Sequence, residues 1–243
     1  MKYWGITDPG CAREQNQDTY IVETLGRNAL LCVVCDGMGG AKSGNVASSL
    51  AADVFVQEVK RCWTSDMDQE RVDQMLKGAV KLANFTVHDQ AQQFEEFTGM
   101  GTTLVAALVR GKLATVINVG DSRCYSVTAE DVLQVTTDHS LVQMMIQRGE
   151  LTPERARSYP GKNLITRAIG TEPVMECDVF HRKLTSGECL LLCTDGLSNL
   201  VDDQEILFEV VHGSNKQSSC ERLLEIAKNR GAPDNVTCVL IQA

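Results

Sequence analysis

The sequence lacks long apolar runs, and its longest unbroken apolar stretch covers residues 29–35. A membrane-spanning helix needs about 20 such residues, so we expect no membrane insertion. The first residues carry no apolar block of the kind that starts a secretory signal. Neither a membrane location nor Sec-type export is therefore expected, which favours the cytoplasm.

Basic residues are in deficit: 23 Lys and Arg stand against 32 Asp and Glu, a formal net charge of −9. Proteins bind nucleic-acid backbones through a basic face, so this balance argues against a nucleic-acid partner. The acidic excess fits a solubilising surface, and it equally fits carboxylates gathered to hold cations. Composition alone leaves both interpretations open.

Histidine is scarce, with four residues, and the ten cysteines are not spaced as a zinc site. Cys32 and Cys35 share one predicted strand, where residues three apart point to opposite faces. Cys189 and Cys193 lie in another apolar strand, and no histidine stands close to either pair. We therefore expect buried thiols in a reducing compartment rather than structural zinc.

Proline is also sparse, and no repeat or proline-rich linker divides the chain, so residues 1–243 are expected to form one domain. Apolar runs and alternation predict strands at 2–7, 19–24, 29–35, 102–109, 113–119, 123–128, 132–136, 188–194 and 235–241. Helical periodicity predicts helices at 44–63, 69–94, 140–148, 203–211 and 218–230, with a surface excursion at 149–161. This order indicates an α+β fold with two mainly antiparallel sheets and helices packed outside.

Aspartates recur at the ends of the predicted strands. Four follow apolar segments and two come just before strands: Asp8, Asp36, Asp121 and Asp195, then Asp18 and Asp234. Because an antiparallel strand starts where its neighbour ends, we expect all six on one rim. Like charges about 4 Å apart repel by about 4 kcal/mol at an effective dielectric of about 20, so the rim needs cations. Oxygen ligands favour Mg²⁺ or Mn²⁺, although Asp-Gly pairs also form ordinary turns.

The glycine-rich segment 36–43 follows a strand and opens a helix, which is the place of a nucleotide-binding P-loop. That motif needs glycine six positions before the lysine and directly before it, where this chain has Asp36 and Ala41. An aspartyl-nucleophile phosphatase needs Asp-x-Asp, but Val34 and Met38 flank Asp36 at two places. The sequence also has no His-Glu-x-x-His and no Gly-x-Ser-x-Gly segment.

Eight segments, taken in order, resemble the motifs of the metal-dependent protein serine/threonine phosphatases, the protein phosphatase 2C family. They run from residue 8 to residue 237 and so span nearly the whole chain. The compact length and Met38 resemble bacterial members. The segments are Asp8-x-Gly10-x-x-Arg13-x-x-Asn16-Gln17-Asp18, Val34-Cys35-Asp36-Gly37-Met38-Gly39-Gly40, Gly101-Thr102-Thr103, Asn118-Val119-Gly120-Asp121-Ser122-Arg123, Thr137-Asp138-His139-Ser140, Leu164-x-x-Arg167-x-x-Gly170, Thr194-Asp195-Gly196-Leu197 and Pro233-Asp234-Asn235-Val236-Thr237.

The resemblance implies a four-layer α-β-β-α sandwich with two or three Mn²⁺ or Mg²⁺ ions in a cleft at one end. By residue match, Asp36 bridges two ions and the Gly37 carbonyl faces the first. Asp195 and Asp234 hold the second ion, and Asp121 with Asp195 frames a weaker third site.

The implied reaction is hydrolysis of phosphoserine and phosphothreonine in proteins by direct attack of a metal-bridging water. Asp18 matches the position that orients this water, and Arg13 matches the arginine that binds the phosphate. The implied partners are phosphorylated proteins, including a bacterial serine/threonine kinase whose action the enzyme reverses. The chain is expected to act as a monomer.

This chain departs from the family pattern at the expected proton donor. Many members have histidine where Met38 stands, and methionine cannot protonate a leaving oxygen. Bacterial relatives often have histidine where Ala41 stands. The candidate substitute donors are a metal-bound water and His139, and His139 fits a structural role equally well. The segment 147–161 matches the family's flap. Its candidate substrate contacts are Arg148, Arg155 and Arg157.

Two other functional interpretations stay open at this point. A catalytically silent relative would serve as a regulatory binding module, although such domains usually lose metal ligands and Asp36, Asp195 and Asp234 are present. A metal-dependent phosphodiesterase or nuclease also fits an acidic rim, but it conflicts with the charge of −9 and with the ordered motifs.

Overall fold

The structure is a computed structural model that describes residues 1–40, 43–156 and 159–242. Its strands are β1 (Lys2–Asp8), β2 (Asp18–Leu25), β3 (Ala29–Met38), β4 (Gly101–Thr102), β5 (Leu104–Arg110), β6 (Leu113–Val119), β7 (Arg123–Val127), β8 (Val132–Gln134), β9 (Asp178–Lys183), β10 (Cys189–Cys193) and β11 (Val236–Gln242). Its helices are α1 (Gly44–Cys62), α2 (Gln69–Gln93), α3 (Leu141–Gln147), α4 (Pro153–Ala156), α5 (Asp195–Ser198), α6 (Asp203–His212) and α7 (Lys216–Asn229), with a 3₁₀ turn at Glu95–Phe97.

The strands of the described residues form two sheets. The first has the order β1-β11-β10-β7-β8, and the second has the order β2-β3-β5-β6-β9, with β4 added at the end of β3. Each pairing between the strands described is antiparallel. The prediction of two mainly antiparallel sheets is therefore confirmed.

Three hydrophobic cores separate four layers. One core lies between the second sheet and α1–α2, and another lies between the first sheet and the helices α5–α7. The third core is between the two sheets. In β3, Leu31 and Val33 face the helices while Leu30 and Val34 face the other sheet, so the strand is buried on both faces. This double burial explains the continuous apolar run and confirms the α-β-β-α arrangement.

All ten cysteines are free thiols, and seven of them are buried in these cores. Cys32 lies in the core between the sheets, whereas Cys35 lies in the core against α1 and α2. Cys189 and Cys193 are both buried on the helix-facing side of β10. The prediction of buried thiols is confirmed for these two pairs.

Two short elements and one strand differ from the predictions. β9 falls in a stretch for which no strand was predicted, because its residues are polar or only half-buried at the edge of the second sheet. α5 begins at Asp195, directly after the predicted strand 188–194, where no helix was predicted. α4 lies within the predicted surface excursion 149–161.

Backbone pairing joins the two chain segments that flank the excursion 149–161. Ser140 forms an antiparallel bridge with Ile165, and Leu141 N donates to the Leu164 carbonyl at 2.8 Å. A helix long and apolar enough to cross a bilayer is not found in the ranges described.

Candidate active site

The register of β2 against β3 places two predicted site residues side by side. Asp18 begins β2 and is the antiparallel partner of Asp36 near the end of β3. The hydroxyls of Thr194 and Thr237 donate to Asp18 Oδ2 at 2.9 and 2.7 Å. Thr194 follows β10 and Thr237 lies in β11, and both strands belong to the first sheet. Asp18 of the second sheet is therefore hydrogen-bonded to the first sheet.

The pairing of β10 with β11 brings in a second pair of carboxylates. Asp195 follows β10, Asp234 precedes β11, and the two strands are antiparallel. The charge of Asp195 is one of the causes that raise the pKa of Asp36, after burial and the charge of Asp18, so carboxyl groups from both sheets lie close together.

Gly37 lies where a side chain does not fit. A Cβ at this position would stand 2.0 Å from the carbonyl oxygen of Gly44, at the start of α1. Gly37 N donates to the Gln17 carbonyl at 3.1 Å. Glycine therefore allows β3 to pass close to α1 while its last residues reach the site.

A cavity of about 610 Å³ collects most of the predicted residues. Asp18, the strand partner of Asp36, does not line it and is 7% exposed. Asp8 lies at the same strand ends, opposite Val236, as predicted. Its carboxylate accepts from Lys228 Nζ at 3.0 and 3.1 Å and does not line the cavity. The predicted residues that line the cavity are Arg13, Asp36, Gly37, Asp121, Asp195 and Asp234.

Four carboxyl groups at this site have raised pKa values. Burial, and then the charge of Asp18, raise the pKa of Asp36 well above its usual range. Burial raises the pKa of Asp18 and of Asp121 to about 7. The pKa of Asp195 is also raised, by burial and by the charge of Asp234. Such shifts follow from packing acidic groups together away from water.

These groups fit divalent cations. Asp18 Oδ1 is fully buried and receives no hydrogen bond in the structure as described. The neighbouring carboxyl groups repel one another, and a cation removes that repulsion. Their all-oxygen donor set suits Mg²⁺ or Mn²⁺. Among the described residues, no three His, Cys, Asp or Glu side chains are arranged so that they could hold a metal ion as they stand. The carboxylates are therefore neighbours and do not form a complete coordination shell.

The loop that carries Arg13 is attached to the start of β11. Arg13 Nη2 donates to Asp234 Oδ2 at 2.9 Å. Asn235 Oδ1 accepts from Gln17 N, and its Nδ2 donates to the carbonyls of Pro9 and Gln15 at 3.0 and 2.9 Å.

Asn235 was singled out in the sequence only as part of a motif. In the fold its buried amide holds both ends of the loop that bears Arg13. Its position beside Asp234 was the signal that could have found it. Its partners lie more than two hundred positions away in sequence, and spacing alone did not identify them.

His139 holds the loop that carries Asp121. Gly120 N donates to His139 Nδ1 at 3.1 Å, and His139 N donates to the Gly120 carbonyl at 2.9 Å. His139 Nε2 lies 3.2 Å from Asp178 Oδ2, and Arg167 Nη1 donates to Asp178 Oδ1 at 3.0 Å. His139 is 6% exposed and does not line the cavity, which favours the structural interpretation over a proton donor.

The remaining predicted positions contribute less to the geometry. Met38 lines the cavity, so a side chain without a transferable proton stands at the expected donor position. Ala41 and Arg157 lie outside the described residues. Arg148 and Arg155 do not line this cavity, and their contact with substrate stays a prediction.

The structure is thus a four-layer sandwich with a carboxylate-lined cavity at the ends of its strands, an arrangement that suits a metal-dependent enzyme. The sequence profile described as protein phosphatase 2C matches residues 12–240. The chain therefore belongs to the protein phosphatase 2C family, which is metal-dependent.

Individual relatives match over almost their full length. The chain is 33% identical to the serine/threonine phosphatase stp of Listeria monocytogenes, covering 97% of this chain and 93% of that one. It is 35% identical to the protein phosphatase PhpP of Streptococcus pneumoniae, covering 97% and 95%. The crystal structure of the serine/threonine phosphatase Stp1 from Staphylococcus aureus superposes with a TM-score of 0.94 at 35% identity, covering 100% of this chain and 94% of that one.

Proposed function

We propose that this chain is a protein phosphatase that hydrolyses phosphoserine and phosphothreonine side chains of proteins. The observation that carries the proposal is one cavity in which Arg13 lies among Asp36, Asp121, Asp195 and Asp234. An arginine and a group of cation-binding carboxylates are the complementary parts that a phosphoryl group needs. The names of the relatives, which are serine/threonine phosphatases, support the same substrate class.

The carboxylates are proposed as the holders of two or three Mn²⁺ or Mg²⁺ ions. Asp36 and the Gly37 carbonyl would serve the first ion, Asp36, Asp195 and Asp234 the second, and Asp121 with Asp195 a third. Bound cations supply positive charge to the phosphoryl group and lower the pKa of water.

Arg13 is proposed to bind the phosphoryl group. Its guanidinium lies at the cavity wall and is half-exposed, with Asp234 as its partner in this structure. When the substrate enters, the guanidinium releases its hydrogen bond to Asp234 Oδ2 and donates to phosphoryl oxygens instead. Its planar fork can contact two of these oxygens at once. The charge that develops on these oxygens during transfer is then balanced.

Asp18 is proposed to orient the attacking water. Its Oδ2 is held by Thr194 and Thr237, which leaves Oδ1 to accept a hydrogen bond from water. The water oxygen forms the new bond to phosphorus while the bond to the serine or threonine oxygen breaks. The products are inorganic phosphate and the free hydroxyl side chain, which takes up one proton.

The same proposal covers the setting of the enzyme. Residues 1–243 form one catalytic domain that acts as a monomer on phosphorylated proteins, among them a serine/threonine kinase that it counteracts. A cytoplasmic location is supported by ten free thiols, because oxidising compartments favour disulfides.

Phosphate release from a phosphothreonine peptide tests the proposed function. Protein stripped with a chelator should be inactive, and Mn²⁺ or Mg²⁺ should restore hydrolysis. A matched phosphotyrosine peptide and bis(p-nitrophenyl) phosphate should be hydrolysed at least about tenfold more slowly. Metal binding in calorimetry without any turnover would support a silent binding module, and preferred cleavage of the diester would support a phosphodiesterase.

A further inference from the structure

A second cavity, of about 460 Å³, lies beside the catalytic one. Asp121, Asn163 and Asp195 line both cavities, so the two spaces adjoin. The second cavity lies between the helices α3 and α4 on one side and the start of α6 on the other. Its volume is within the range of about 300–1,000 Å³ that holds small ligands and side chains.

One wall of this second cavity is apolar. α3 has no buried residue, so its apolar side chains are only half covered by the rest of the protein. An aliphatic chain placed in the cavity would cover part of this surface, which is favourable. The apolar lining residues on the α3 and α4 side are Val142, Ile146, Pro153 and Ala156, and Leu200 and Val201 line the cavity next to the start of α6.

The charged residues of the lining have a net negative charge when those that form ion pairs within the protein are not counted. Arg123 donates to the Asp138 carboxylate at 2.7–3.1 Å, and both Arg230 nitrogens contact the Glu205 carboxylate at 2.6 Å. These pairs neutralise two of the three basic residues that line the cavity. The charged lining residues that remain are Asp121, Asp195, Asp202 and Asp203 against Lys162.

The charges that do not belong to the catalytic group come from two different segments of the lining. Lys162 is the chain neighbour of Asn163, which lines both cavities, so it lies near their junction. Asp202 and Asp203 are exposed at the start of α6. The helix N-terminus contributes about +0.5 charge there, which two carboxylates outweigh.

We propose that the second cavity binds a lysine or arginine side chain that lies close in sequence to the phosphorylated residue of the substrate. An aliphatic stem fits the apolar wall, and a cationic head fits the Asp202–Asp203 end. The proposal rests on the proposed function, because it assumes that a phosphoprotein occupies the neighbouring catalytic cavity. It assigns a basic flanking residue as a feature that the enzyme selects.

A set of phosphothreonine peptides tests this subsite. The peptides differ only in whether alanine, lysine or glutamate stands at each of the three positions on either side of the phosphothreonine. At one or more positions, lysine should raise kcat/KM about fivefold over alanine, and glutamate should lower it. The lysine preference should shrink as salt is raised, since exposed charges are screened.

The double variant Asp202→Asn and Asp203→Asn removes the acidic end and keeps the helix cap, because asparagine caps as well as aspartate. It should reduce the lysine preference to less than about twofold, with turnover of p-nitrophenyl phosphate unchanged. The matched control is Glu95→Gln with Glu96→Gln, two exposed neighbouring carboxylates that also start a helical turn and line neither cavity. It changes the net charge equally and should keep the preference.

The outcomes separate the two proposals. Hydrolysis of the alanine peptide without any lysine preference, or a preference that survives in the Asp202/Asp203 variant, overturns the subsite and leaves the phosphatase function standing. Loss of the preference in the Glu95/Glu96 control as well would assign it to net charge and also overturn the subsite. Failure to hydrolyse any of the phosphopeptides overturns the phosphatase function and the subsite together.

Discussion

The two sides of the catalytic cavity are held in place very differently. Asp18 and Asp36 belong to paired strands next to a core, and Asp18 is fixed by two hydroxyl groups from the opposite sheet. The described residues of the segment 140–165 contribute Asn163 and Ile165 to the other side. Its helix α3 buries no residue, α4 buries only Ala156, and backbone bonds tie the segment mainly at its base.

This contrast indicates that the two sides of the cavity have different roles in the proposed function. Groups that must hold cations and a phosphoryl group gain from a rigid position, because small displacements weaken electrostatic stabilisation. A less buried segment opens at lower free energy and can adjust to different protein substrates. The comparison therefore predicts large catalytic effects on the strand side and small or substrate-dependent effects on the segment.

The largest effect is expected at Asp36. Asp36→Asn should reduce kcat/KM at least about a thousandfold, because a ligand shared by the proposed cations contributes several kcal/mol. The matched control is Asp8→Asn, another strand-end aspartate, whose partner is Lys228 outside the cavity. It should stay within about twofold of the wild type in the same assay. Equal losses in the two variants would contradict the assignment.

A smaller but still large loss is expected at Arg13. Arg13→Ala should lower kcat/KM about a hundredfold, since charged hydrogen bonds to a phosphoryl group contribute up to about 3 kcal/mol. Arg13→Lys keeps the charge without the planar fork and should recover only part of the loss. Full activity in Arg13→Lys would show that charge alone suffices, and unchanged activity in Arg13→Ala would remove this residue from the mechanism.

The pH dependence of stability should also come from the strand side. In metal-free protein the pKa of Asp18 and of Asp121 is raised from 3.8 to about 7, so the folded state binds more protons than the unfolded state. Their contribution to the free energy of unfolding is present below about pH 4 and is lost as pH rises through about 7. Tm in chelator should therefore fall between pH 5 and about pH 8, where the residues are expected to ionise.

Asp18→Asn checks this pH effect, because asparagine does not ionise. Its Tm should fall less steeply with pH than that of the wild type. Asp202→Asn, at an exposed helix cap, should keep the wild-type slope. A wild-type Tm that rises with pH over this range would reverse the sign and contradict the account.

The smallest effect on turnover is expected in the segment 140–165. Ser140 caps α3 by accepting from Gln143 N, and Ser140→Ala should destabilise that helix by about 1 kcal/mol. Amide hydrogen exchange in α3 should become about fivefold faster, while turnover of p-nitrophenyl phosphate stays within about twofold. Asp68→Ala removes the equivalent cap of α2 and should leave exchange in α3 unchanged.

Central parts of the fold could be predicted because their strands are buried on both faces. The runs in β3, β5 and β10 are apolar without interruption, and few other structures explain such runs. β9 could not be found in this way, because an edge strand with half-exposed polar residues has no such pattern. The helix α5 could not be predicted, because it begins with an Asp-Gly pair, which is also common in turns.

The site could be predicted only in part, for a similar reason. Strand ends placed Asp36, Asp121, Asp195 and Asp234 on one rim, and antiparallel geometry supports that inference. Asp8 also lies at these strand ends, opposite Val236, but its carboxylate pairs with Lys228 of α7 and does not line the cavity. Hydrogen bonds between distant segments, such as those of Asn235, depend on packing that spacing does not reveal.

Anomalous diffraction from a crystal soaked in Mn²⁺ tests the central claim most directly. The account predicts at least two manganese peaks in the cavity, with oxygen atoms of Asp36, Asp195 and Asp234 within about 2.0–2.6 Å of them. A soaked crystal with manganese bound elsewhere, and none at these carboxylates, would contradict it.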